Sequence, residues 1–62
     1  MSKYIIKRFN ETLQQSEYLK RLRPTRWVQQ KEFALQLDRF ECASESEWLC
    51  FIGQPHTCEE LL

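Results

Sequence analysis

The chain has 62 residues, 42% of them hydrophobic, with nine basic and nine acidic side chains and a formal net charge of zero. That length holds one domain with one small core, which buries only about 60% of the surface its unfolded chain exposes. There is no stretch of about 18 apolar residues to cross a membrane, and Lys7, Arg8 and Asn10 interrupt any signal-peptide core almost at once.

The zero net charge hides a division. Residues 1–31 carry eight cations against Glu11 and Glu17, a net of +6, and residues 32–62 carry Arg39 against seven acids, a net of −6. Such asymmetry between halves is a hint of an interaction surface. Leu, Ile, Val and Phe number 16, enough apolar material for a folded core.

In chain order, Lys3 to Phe9 (KYIIKRF) is aromatic and β-branched and predicts a first strand. Asn10 to Ser16 is polar and reads as a connection. Glu17 to Arg23 then predicts a returning strand, ended by Pro24. A helix beginning at Asn10 competes with this hairpin, but the polar run Gln14-Gln15-Ser16-Glu17 breaks its apolar stripe, so the hairpin is preferred. Gln29 to Ala34 suits a short helical turn, and the alternation of Leu35-Gln36-Leu37-Asp38 suggests a third strand.

Asp38 followed three residues later by Glu41 forms a capping-box pattern. It predicts a helix from Arg39 to Ile52, with Gly53 in the left-handed position after its end and Pro55 preventing continuation. The expected architecture is α+β: a small three-stranded antiparallel sheet packed on one C-terminal helix. An all-α three-helix arrangement is the alternative. Residues 1–53 read as the domain and residues 54–62 as a short, loosely held tail.

The residues Tyr18-Leu19, Pro24-Thr25-Arg26-Trp27, Ala34, Leu37-Asp38 and Glu41-x-Ala43 resemble a pattern in small phage and prophage proteins. Those proteins share a basic hairpin reading YL…W, an EA-x-x-F-D strand entry and an EEA helix, and the likeness spans about residues 4–50. The chain departs from it at Leu37, where an aromatic is usual, and at Phe33, where an acid is usual. The resemblance implies a β-β-β-α arrangement and a phage-like origin. It implies no activity.

Cys42, Cys50, His56 and Cys58 are chemically four zinc ligands, but their spacing opposes one shared ion. Cys42 and Cys50 are separated by about 12 Å along the expected helix, whereas structural zinc sites use close ligand pairs. No metal or cofactor is expected. Three cysteines without a secretion signal suit reduced thiols and a cytoplasmic setting, with Cys42 and Cys50 buried as small hydrophobes and Cys58 exposed in the tail. Cys58 beside His56 lacks the enclosed, oxyanion-stabilising frame that nucleophilic catalysis needs. Ser44 and Ser46, interleaved with Glu45 and Glu47, read as ordinary solvation. The chain is not expected to be an enzyme.

Two binding surfaces remain. Arg21, Arg23, Arg26 and Trp27 mix cations with an aromatic, as nucleic-acid-binding sheets do, although a pI near 6.6 is low for such a module. The helix divides into an apolar arc of Phe40, Ala43, Cys50 and Phe51, expected to face the sheet, and a second group, Trp48, Leu49 and Ile52, on the other side. A sheet covers one face of a helix, so the second group needs the chain's own tail (Leu61, Leu62), a second copy or another protein. The expected function is that of a small interaction protein, phage- or prophage-encoded, which binds and modulates a host protein. The alternatives are a nucleic-acid-binding accessory domain using the basic half, and a homodimeric structural module.

Overall fold

Ile5 and Ile6 are adjacent and both buried, so the strand that carries them is covered on both faces and belongs at the centre of a sheet. The computed structural model describes residues 2–22 and 24–61 and places it there. β1 (Lys3–Asn10) lies between β2 (Gln15–Leu22) and β4 (Thr57–Leu61), and β3 (Thr25–Val28) pairs with the outer side of β2. The order is β3-β2-β1-β4, antiparallel throughout. One helix, α1 (Arg39–Phe51), completes an α+β fold. The all-helical alternative and the helix beginning at Asn10 are thereby replaced by strands.

The β1–β2 connection is tighter than the polar run suggested. Asn10 Oδ1 accepts the Leu13 N–H at 3.1 Å, and Gln14 takes a positive φ of 55°. These two devices let the ladder run from Lys7↔Tyr18 to Asn10↔Gln15, leaving only four residues in the turn.

Two strands differ from expectation. The third strand is Thr25–Val28, not the Leu35–Asp38 stretch, because the turn at Pro24 lets the chain fold straight back onto β2. The supposed tail instead supplies a fourth strand: Thr57–Leu61 pairs with β1 from Lys7↔Thr57 to Lys3↔Leu61. An edge strand can form on backbone hydrogen bonds with little apolar content, which is why TCEEL carries so weak a sequence signal. The domain therefore extends through the segment read as a tail. Arg23, expected in the basic surface, and Leu62, expected to cover the helix, lie outside the described residues.

The segment after β3 changes sides of the sheet. A 3₁₀ turn (Lys31–Phe33) meets the face that carries Lys20 and Glu59: Lys31 pairs with Glu59, and Lys20 Nζ lies 5.4 Å from the centre of the Phe33 ring. The hydrogen bond from Lys31 holds the Glu59 carboxyl below its usual range and raises the Lys31 ammonium. Leu35 N–H then donates to Leu19 O, and Leu37 exchanges two 2.8 Å bonds with Tyr4. The chain thus slips between the diverging ends of β1 and β2, and the alternating stretch becomes a single buried bridge.

α1 begins as the sequence indicates. Asp38 Oδ1 accepts the Glu41 N–H at 2.8 Å, and Glu41 Oε1 accepts the Asp38 N–H at 3.2 Å. At the other end Gly53 has φ +77°, its N–H donates to Cys50 O, and Gln54 N–H donates to Leu49 O. That pair of bonds is the Schellman motif. Replacing Asp38 by Ala should cost about 1 kcal/mol through the lost cap. Gly53→Ala should cost about 1–2 kcal/mol through backbone strain alone, since an added Cβ meets no atom within 4 Å. Urea midpoints of the two variants check both values.

Leu19 and Ile6 on the sheet, Leu37, and Cys42 and Leu49 on α1 form the core, with Tyr4, Trp27 and Leu35 packed against it. Only a narrow stripe of the helix is buried: Cys42 and Leu49, seven residues and about two turns apart.

Candidate protein-binding surface

The narrowness of that stripe decides which side chains are left for a partner. Leu49, expected on the free side with Trp48 and Ile52, is 3% exposed and belongs to the core. Phe40 and Phe51, expected to face the sheet, are each 83% exposed. Phe51 lies about 200° around the helix axis from Leu49, so burying one turns the other outward. Ala43 and Cys50 are exposed as well. Trp48 and Ile52, each 53% exposed, lie together on one side of the helix, between the outward pole and the buried stripe. The arc expected to pack inward is therefore the outer surface, and α1 displays four large apolar side chains.

Trp48, Phe51 and Ile52 gather at the C-terminal end, while Phe40 lies eleven residues back, about 16 Å along the axis. The Trp48 and Phe51 rings stack with centroids 5.8 Å apart and planes inclined by 20°. The patch sits on a helix closed at both ends by hydrogen-bonded caps, so it is presented on a fixed frame. The exposed Glu47 lies on the same outward side as Phe40 and Phe51, and the last turn contains no basic residue. Negative charge near a helix C-terminus is unfavourable, so a cation brought there by a partner would be welcomed.

The basic surface is arranged differently from its sequence reading. Trp27 is half-buried against the core, and the Arg8 guanidinium covers its ring at 4.1 Å. Arg8 is itself held by Glu17 (Nη2–Oε1 2.8 Å, Nε–Oε1 2.9 Å) and by Gln54 Oε1 at 3.1 Å. Asn10 adds a fourth group to this network, donating to Glu17 Oε1. Trp27 is thus a structural residue, not an open stacking platform. Arg21 and Arg26 remain exposed and face each other across β2 and β3, beside the register shift between Leu19 and Arg21.

Like charges directly opposed on neighbouring strands are destabilising. Arg26→Glu should therefore raise folding stability by about 0.2–1 kcal/mol, read from urea unfolding, by turning a repulsive pair into an attractive one. A fall in stability would mean that the two guanidinium groups are relieved by a neighbour. Sequence reasoning found both arginines, but their opposition depends on β3 and its irregular register, which no residue pattern announced.

Of the cysteines, Cys42 is buried while Cys50 and Cys58 are exposed, and all three are free. Burial, then a hydrogen bond to the Cys58 side chain, pushes the Cys42 thiol up to about 12. His56 pairs not with Cys58 but with Ser46, Oγ to Nε2 at 2.6 Å, and its Nδ1 lies 2.8 Å from Gln54 O. With Nδ1 donating to that carbonyl, Nε2 accepts the Ser46 hydroxyl, and the group latches α1 to the approach of β4. Among the described residues no three His, Cys, Asp or Glu side chains are grouped to hold a metal ion. Nor is any described helix long and apolar enough to cross a membrane.

Comparison with family models, with curated proteins and with solved structures finds no match.

Proposed function

We propose that this chain is a non-enzymatic protein-binding module, a phage- or prophage-type accessory factor that modulates a cytoplasmic host protein through the outward face of α1. The observation that carries this reading is the exposure of Phe40, Trp48, Phe51 and Ile52 on a helix whose opposite side is already committed to the core. Aromatic side chains, Trp above all, dominate the binding energy of protein interfaces, and an exposed apolar patch with a charged rim is their usual setting. The exposed Glu47 and the last turn's lack of a basic residue favour a partner whose apolar surface is edged with Lys or Arg.

A second reading, nucleic-acid binding by the basic hairpin, keeps one observation in its favour: the opposition of Arg21 and Arg26 across the strands. It loses Trp27 as a stacking surface. A salt titration with random oligonucleotides separates the two, since a slope implying four or more phosphate contacts belongs to nucleic acid. The main test is capture from nuclease-treated bacterial lysate on immobilised wild type and on Trp48→Ala/Ile52→Ala. A protein held by the first and lost from the second supports the reading, and equal capture on both overturns it.

A further inference from the structure

The Ser46–His56 bond ties α1 to the approach of β4, and from it the helix and the strand advance in steps of matching length. Four residues of helix rise about 6.0 Å and two residues of strand about 6.7 Å. With the Ser46–His56 bond as the start, a step of four back along α1 reaches Cys42, and a step of two along β4 reaches Cys58. The sheet register agrees. Cys58 is opposite Ile6 and on the same face, and Ile6 and Cys42 share the core cluster. One thiol is buried beneath the helix and the other is open to solvent.

We propose that Cys42 and Cys58 form a closable dithiol, a modification site at which oxidation by a low-molecular-weight disulfide staples α1 to the edge strand β4. Cys58, the exposed member, loses its proton and attacks one sulfur of the oxidant RSSR, forming a mixed disulfide and releasing RS⁻. Cys42 then loses its proton and attacks the Cys58 sulfur, expelling the second RS⁻. Two S–H bonds and one RS–SR bond are replaced by one protein S–S bond and two RSH, so the protein loses two electrons and the oxidant gains them.

The staple encloses the last turns of α1, the Schellman turn and the Ser46–His56 latch. Cross-linking a loop of this size restricts the unfolded chain and should raise the melting temperature of so small a domain by about 10–20 °C. Cys42 is on the buried stripe of the helix, so the outward patch is left as it was.

The test uses the full chain with the exposed Cys50 replaced (Cys50→Ser), incubated with oxidised glutathione and followed by intact mass and thermal melting. The expected product has lost about 2 Da, melts higher than the untreated protein, and returns to the starting mass and melting temperature on reduction. Cys50→Ser/Cys58→Ser, which alters only exposed positions, should neither close nor gain stability. A glutathione adduct that persists without closing would overturn the proposal. So would a closed product that melts no higher than the reduced protein.

Discussion

Trp48→Ala combined with Ile52→Ala should reduce partner affinity about 100-fold while lowering folding stability by no more than about 2 kcal/mol. The two halves of this expectation rest on different features of the helix. Truncating an interface tryptophan commonly costs 2 kcal/mol or more, roughly 30-fold, and a neighbouring aliphatic contributes the remainder. Folding is spared because each side chain is 53% exposed and the core beneath them is filled by Leu49 and Cys42. The substitution also removes the Trp48–Phe51 stack, and such ring pairs are worth about 0.5–1.5 kcal/mol at most. Titration calorimetry with the captured partner, beside urea unfolding of the same protein, reads both quantities. Unchanged affinity in a folded variant would remove the helix face from the binding reaction.

How far such a surface can be read from sequence depends on the kind of signal each residue gives. The ends of α1 were legible because capping is local: Asp38, Glu41 and Gly53 satisfy backbone groups within a few residues of themselves. The first hairpin was legible for a similar reason, through KYIIKRF and the break at Pro24. The rotation of α1 about its axis was not. Its apolar residues are spread around the circumference, and two phenylalanines outweigh a cysteine in any apolar count. Yet only Cys42 and Leu49 lie in line with Ile6 and Leu19. Trp48 and Ile52 were found because they flank either choice of buried stripe, whereas Phe40, Phe51 and Leu49 exchanged roles. β4 was hidden for another reason. Thr57 to Leu61 is held by β1's backbone and by the latch to α1, which are properties of its neighbours rather than of its own composition.

The assignment of inside and outside on α1 has a direct test in two single variants. Leu49→Ala should cost about 3–4 kcal/mol, and Phe51→Ala about 1 kcal/mol or less, although the larger side chain is the one removed in the second case. Leu49 is 3% exposed and packed in one cluster with Ile6, Leu19 and Leu37, so its truncation leaves a cavity that strand and helix backbones cannot close. Phe51 at 83% exposure gives up only its stack on Trp48 and leaves no cavity behind. A domain of this size has about 3–9 kcal/mol of total stability. The first variant should therefore be largely or partly unfolded at 37 °C, while the second stays folded with only a small fall in its urea midpoint. Near-ultraviolet circular dichroism read in a Trp48→Phe background, where Trp27 is the one tryptophan left and packs against the same cluster, should fade in Leu49→Ala and persist in Phe51→Ala. Equal destabilisation by the two substitutions would mean that α1 turns its phenylalanines inward. The outward patch, and the binding function built on it, would then fall together.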